Sequence, residues 1–384
     1  MTGIGRRGLL GGAAGLLAAN LFGVRPARPE PDTGPLDLVV AAQAPTTPTG
    51  LTLAPDGRMF LFMPRFDERT VFTAGEVFPD GRVVPFPSEA ANRPDPDRAG
   101  ERLFHVPNGV VDQRGRLWLL DAGLMASSGE PVPGAAKLVL VDLATNAITR
   151  TIPLQDVVTK TSSLNDLRVD ARPGREVATI TDQGQDGAGA LIAVDLASGR
   201  ALRRLAGHAS TRSVEGILKI VEGRVLLKRK ADGTTSPIQG GANGLALSPD
   251  GARLYYTPLM SRRLYSVETA ALLDPARDDA SVAETVRDLG EKGLTGGLAA
   301  DSRDRVYLSL QEFDAIGRRD PDGRIEVIAR DPRLTWPDTF WITADGWLYL
   351  TAAQANRRPE HNGGVDRQQP PYAIFRMRID AGPA

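Results

Sequence analysis

Cysteine is absent from the chain, which excludes disulfides, thiolate metal sites and a cysteine nucleophile. Histidine is nearly so: His105, His208 and His361 are the only ones, and no Gly-x-Ser-x-Gly elbow occurs, so the Ser-His-Asp hydrolase arrangement has neither its nucleophile nor an oriented base. Neither sign of charge prevails. Lys+Arg number 46 and Asp+Glu 47, giving a net charge of −1, and the basic stripe of a nucleic-acid binder is missing. Long apolar runs are also wanting; the apolar, uncharged stretch Leu9 to Phe22 is shorter than the roughly 20 residues of a spanning helix.

What the chain does have is 41 Gly and 29 Pro among 384 residues, a composition suited to many short strands joined by tight turns. Its N-terminus places Arg6-Arg7 ahead of the mildly hydrophobic, Gly/Ala-rich Leu9 to Phe22, which is the pattern of a signal peptide. The twin arginine fits the Tat route, which exports folded proteins to the periplasm or beyond. Residues 1–35 are therefore expected to be a Tat-type signal with a Pro-rich lead-in, processed between Ala19 and Ala27, and 36–384 a single domain. Membrane contact is expected only through an uncleaved signal, and the mature protein is expected to be a monomer.

One unit recurs six times after that leader: a small or polar residue, an alternating apolar run, a turn ending in Gly or Asp, and a second apolar run. The copies begin at Thr49-Gly50-Leu51, Asn108-Gly109-Val110, Asn165-Asp166-Leu167, Asn243-Gly244-Leu245, Gly296-Gly297-Leu298 and Asp338-Thr339-Phe340. Their turns, such as Pro55-Asp56-Gly57 and Pro249-Asp250-Gly251, favour the positive φ of hairpins. A further strand pair follows most copies, as in Lys137 to Asp142 with Ala147 to Thr149. The expected fold is thus all-β, a six-bladed β-propeller with four-stranded antiparallel blades. Leu36 to Val40, which has no neighbouring partner, is expected to complete the last blade beside the C-terminal strands. Gly216 to Lys230 reads as an inserted hairpin, and Ala270 to Leu273 with Ala280 to Leu289 as the helix-like stretches. Trp118, Trp341 and Trp347 are expected to fill space between blades.

The residues that open the innermost strand of each blade converge at one end of the axis. Asn108, Asn165, Asn243 and Asp338, with Thr339 beside the last, are therefore the candidate ligand-binding ring. Amide oxygens with a carboxylate suit a protonated amine or a weakly held cation. Against this stands turn chemistry, because Asn and Asp also cap their own backbone at strand entries. Asp182, which ends a strand in the third blade as Asp121 does in the second, is a further ligand-binding candidate with an equally strong structural reading. The glycine-rich Gln183 to Gly189 lacks the Lys-Ser/Thr ending and following helix of a phosphate loop, and reads as a hairpin connection. If proton transfer takes place, His105 and Asp338 are the weak catalytic candidates. Lys228-Arg229-Lys230 reads as a solvated strand edge.

Several segments resemble the major royal jelly protein and Yellow family, including its bacterial members. They are Val106 to Asp112 with Leu117 to Gly123, Ser163 to Asp170, Ile180-Thr181-Asp182 with Gly189 to Asp195, Gly241 to Pro249, and Trp336-Pro337-Asp338-Thr339 with Gly346 to Tyr349. The resemblance implies a secreted six-bladed propeller whose relatives range from biogenic-amine binding to dopachrome-type tautomerisation. It also relates Gln354 to Arg358 loosely to an Asn-Arg pair near the family's ligand. A weaker likeness is to gluconolactonases and senescence marker propellers, which hold a divalent metal in the channel. Asn165 and Asn243 match two of those ligand positions and would hold Ca²⁺ or a similar ion if one is bound, but Thr49 and Gly296 stand where carboxylates would be. No metal is accordingly expected, no cofactor is assigned, and a divalent cation such as Ca²⁺ stays open. Three readings stay open: a channel-mouth binder of an amine, catechol or similar small molecule; an enzyme, either a lactonase-like hydrolase or a dopachrome-type isomerase; and a non-catalytic interaction scaffold.

Overall fold

The computed structural model describes residues 36–126 and 129–384; the signal-peptide reading falls outside these residues. Six four-stranded antiparallel sheets make the six blades of a β-propeller. Their innermost strands are Gly50–Leu53, Asn108–Val111, Leu164–Asp170, Ala242–Leu247, Thr295–Ala300 and Pro337–Ile342, for blades 1 to 6 in order. The sixth blade continues through Trp347–Ala352 and Tyr372–Arg378 to Asp37–Ala42, which pairs antiparallel with Tyr372–Arg378. Joining the two ends of the chain in one sheet removes the edges that an open ring would expose.

The turn after each innermost strand is where the repeat is most regular. A left-handed residue closes it in every blade: Gly57, Gly115, Gly174, Gly251, Asp304 and Gly346, with φ between 59° and 89°. Asp304, the one non-glycine, accepts a hydrogen bond from the Tyr255 hydroxyl at 2.9 Å. Blades 2 and 5 share a lock at this turn. Asp112 accepts from Arg116 Nε at 2.8 Å and Trp118 Nε1 at 3.0 Å, and Asp301 from Arg305 Nε at 2.7 Å and the Tyr307 hydroxyl at 2.9 Å. Each lock satisfies a buried carboxylate within its own blade.

Apolar side chains of consecutive blades interdigitate around the ring. Trp118 and Leu120 of blade 2 pack with Leu167 and Ile180 of blade 3, and Phe60 and Phe62 of blade 1 with Leu117 and Leu119 of blade 2. Trp118 is core, as expected. Trp347 is half-buried beneath the guanidinium groups of Arg376 and Arg378, and Trp341 lies on the axial side, contacting clusters at three blade junctions. Near the axis, neighbouring innermost strands approach so closely that a Cβ at Gly244 would land on the Gly296 carbonyl oxygen.

Two departures from the expected elements bear on the site. Arg287–Glu291 is the fourth strand of blade 4, so α-helix among the described residues is confined to Thr269–Leu273 and Asp279–Ala283; pairing with Arg263–Glu268 overrides the helical composition of that segment. The insertion between blades 3 and 4 holds two ribbons: Ile220–Val221 with Arg224–Val225, and Leu227–Arg229 with Thr235–Pro237. Val221 and Leu226 pack against Trp336, Ala353 and Ala355 of blade 6. Blade 6 faces blade 3 across a six-membered ring, so the insertion spans the mouth of the channel.

Candidate functional site

The innermost strands begin at this covered mouth, and in blades 3 to 6 each carries a register shift there, between Leu164 and Leu167, Ala242 and Gly244, Thr295 and Leu298, and Pro337 and Phe340. Such bulges re-aim the side chains at a strand entry. In blade 3 the result is that Asp166 enters the polar ring. Its carboxylate accepts a hydrogen bond from Asn108 Nδ2 and another from the Leu245 amide at 3.3 Å, tying blades 2, 3 and 4 together. Asn165 stays partly exposed and has no side-chain hydrogen bond among the described residues. Asn243 is buried and donates to Gln183 Oε1 at 2.7 Å. Thr49 donates to the Pro107 carbonyl at 3.0 Å.

Asp338 is the pivotal group. Burial pushes its carboxyl up to about 8, the charge of Asp166 pushes in the same direction, and Lys219 opposes both. Asp338 nevertheless keeps partial exposure. Beside it, the absence of a side chain at Gly296 makes room for the Gln311 amide, whose Nε2 lies 2.4 Å from where a Cβ would stand, with Asp338 Oδ1 3.6 Å from the same point. Thr339, the next ring candidate, is buried.

Lys219 reaches the ring from the insertion. Its side chain is 1% exposed while the flanking Leu218 and Ile220 are 52% and 49% exposed, an inversion of ordinary patterning. Nζ donates to Gln311 Oε1 at 2.7 Å and lies 4.9 Å from the centroid of the Trp336 ring. Burial lowers its ammonium to about 7, against the pull of Glu312 and Asp338. Lys219 and Asp338 thus influence each other electrostatically, and burial pushes both toward neutral pH, a combination found at sites that move protons.

The remaining candidates lie off this ring. Asp182 is saturated by Ser163 and Gly184 amides at 2.7 and 3.0 Å, Ser162 Oγ at 2.5 Å and Arg203 Nη1 at 2.7 Å, which makes it a lock within blade 3. Asp121 does the same in blade 2, with Phe104, His105 and Gly123 amides and the buried Lys137 ammonium at 2.8 Å. His105 is enclosed beside Phe66, and burial pushes its imidazole down to about 4; its charged neighbours are Asp121, Arg65 and Arg358. Asn356 and Arg357, near the loosely matched pair, both bond Glu222 and so latch the insertion to blade 6.

Solved structures with similar folds include a luciferin-regenerating enzyme (14% identity, 91% of this chain and 97% of that chain, TM-score 0.54). Others are a calcium-binding regucalcin from Agrobacterium tumefaciens (16%, 91% and 96%, 0.52) and a gluconolactonase from Xanthomonas campestris (13%, 92% and 99%, 0.51). Identities this low establish the shared propeller alone. A search of curated proteins finds no match.

The divalent-metal arrangement suggested by the gluconolactonase likeness does not fit these side chains. No group of three or more His, Asp or Glu is placed for a metal among the described residues. The two ring carboxylates already face internal cations, Arg168 at 3.6 Å from Asp166 and Lys219 near Asp338. A hard divalent cation takes about six to eight oxygen ligands with several carboxylates among them, and Asp166 is already tied to Asn108 and the Leu245 amide, which leaves Asp338 alone. Adding Ca²⁺, Mn²⁺ or Zn²⁺ to chelator-treated protein is therefore expected to leave its thermal unfolding unchanged. A real site at 100 times its Kd would add about 2.7 kcal/mol, an unmistakable shift.

The family model described as major royal jelly protein matches residues 106–372, from the approach to blade 2 into the third strand of blade 6. The chain therefore belongs to the major royal jelly protein family.

Proposed function

We propose that the covered channel mouth binds a small protonated amine, of the tyramine or catecholamine kind, with Asp338 as its charged partner and Asn108 and Asn243 setting the polar ring around it. Supporting this reading, Asp338 shares one ring with the buried Asp166, which Asn108 and the Leu245 amide fix in place, and the Asp166 charge adds to burial in holding the Asp338 carboxyl up. Bringing two carboxylates together away from water is costly, and folding does not require it, because the blade locks at Asp121 and Asp182 do without such a pair. A ligand ammonium would relieve that repulsion through charge-assisted hydrogen bonds. Entry requires the insertion to move, and its Glu222 latch to Asn356 and Arg357 is the contact that would open.

Proton transfer is a second reading, favoured by the matched pair of Asp338 near 8 and Lys219 near 7. In an isomerisation of the dopachrome type, the amine of Lys219 would take a proton from carbon while the carboxyl of Asp338 gives one to the oxygen where negative charge develops. Two measurements separate the readings. Calorimetric titration with tyramine, dopamine and tryptamine should give heat for at least one amine at micromolar to millimolar concentration; silence from all of them removes the binding reading. Decolourisation of dopachrome faster than in buffer, with a bell-shaped pH profile, would favour the isomerase, and a rate equal to buffer would dismiss it.

A further inference from the structure

The axial channel has a second compartment, at the face opposite the insertion. There the far ends of the six innermost strands surround a cavity of about 660 Å³, within the ~300–1,000 Å³ usual for small-ligand sites. Its wall is largely apolar, with Leu53, Val110, Leu247 and Ala299 around the partly exposed indole of Trp341. Most polar side chains on that wall are engaged elsewhere. Asp112 is taken by Arg116 and Trp118, Gln113 accepts from the Ala171 amide at 2.9 Å, and Asp345 accepts from Thr343 Oγ1 at 2.6 Å.

Arg168 is the exception. Its Nη1 and Nη2 donate at 2.6 Å to the carbonyls of Leu167 and Leu298, so the side chain bridges the channel between blades 3 and 5. Asp166, on its other side, is 3.6 Å away, too far for a hydrogen bond. A guanidinium has five N–H donors, and the two carbonyls leave donors unused on a side chain that is 16% exposed and lines the cavity. A cation with spare donors at the end of an apolar, aromatic chamber is complementary to a molecule with an apolar body and one carboxylate.

We infer that this lower chamber is a binding site for a small aromatic or aliphatic monocarboxylate, its body against Trp341 and its carboxylate hydrogen-bonded to Arg168. The site is separate from the covered mouth, and Arg168 forms the partition between them. Neither the amine reading nor the isomerase reading is needed for it.

The test is titration of the full chain with cinnamate and decanoate, followed by tryptophan fluorescence and calorimetry, with cinnamyl alcohol as the uncharged control. Both carboxylates should bind, and cinnamate at least about tenfold more tightly than the alcohol. Trp341→Leu should weaken cinnamate by about tenfold or more, and Arg168→Gln should reduce cinnamate to the level of the alcohol. Absence of carboxylate binding up to millimolar concentration overturns the inference, as does equal binding of acid and alcohol. Unchanged cinnamate affinity in Trp341→Leu places the ligand elsewhere and overturns it too. If Arg168→Gln does not fold, the acid-to-alcohol ratio and Trp341→Leu decide the matter without it.

Discussion

Asp338→Asn should weaken binding of a protonated amine by about 30-fold or more. Removing one member of a buried charge pair typically costs about 2–5 kcal/mol, and 2 kcal/mol corresponds to about 30-fold in Kd. The wild-type affinity should rise between pH 6 and 8.5, because Lys219 sheds its competing proton near 7 and Asp338 gains its charge near 8. That rise should be largely lost in the variant. Stability supplies an independent readout with a definite sign. Folding raises the Asp338 pKa from 3.8 to about 8, so its contribution is present at low pH and is lost as pH rises through that window. Lys219, lowered from 10.5 to about 7, contributes above its unfolded value and loses that contribution as pH falls through 7. Between pH 5 and 7 His105 also changes the proton count on unfolding, but it does so in wild type and variant alike; the difference between the two proteins is therefore set by Asp338, and one full proton over two pH units is worth about 2.7 kcal/mol at most. Denaturant titrations should therefore show Asp338→Asn gaining on the wild type over that interval; parallel pH profiles would contradict the raised carboxyl.

Asp121→Ala should be the most damaging single change outside the channel, lowering stability by about 3–5 kcal/mol. Lys137 is 1% exposed, and its ammonium contacts Asp121, the Ala99 carbonyl and the Ala135 carbonyl at 2.8 to 3.0 Å. Truncating the carboxylate leaves that charge with carbonyl dipoles alone and orphans three amides, those of Phe104 and His105 before the innermost strand and of Gly123 after the second. Restoring neutrality should recover part of the loss, so Asp121→Asn combined with Lys137→Met should be more stable than Asp121→Ala in urea unfolding. Equal stability of the two would mean that the amides, rather than the buried charge, dominate this lock.

The propeller was legible because its repeat is written in turn chemistry. Each innermost strand is followed by a residue that tolerates positive φ, and five of the six are glycine. Ring members Asn108, Asn243 and Asp338 could be read for the same reason, since they occupy one register of that repeat. Asp166 could not be placed by register alone, because the bulge between Leu164 and Leu167 brings it, one position after Asn165, into the ring. A clue was present: Gly50, Gly109, Gly244 and Gly297 fill the corresponding slot in four other blades, and a carboxylate among glycines is conspicuous. Lys219 gave less warning. It lies in an insertion outside the repeat, between two apolar residues, where alternation would turn the lysine outward. Only the packing of the insertion against Trp336 reverses that pattern. Asp182 was legible as one of an equivalent pair with Asp121, but its four hydrogen bonds show a lock whose lone pairs are spent.

Whether the carboxylate of Asp338 receives a ligand cation in competition with Lys219 is decided by tyramine titration of Lys219→Met at pH 6. Methionine keeps the apolar stem against Trp336 while removing the internal ammonium. The account predicts tyramine binding about tenfold tighter than wild type at pH 6, with the difference vanishing above pH 8. Unchanged or weaker binding at pH 6 would contradict it.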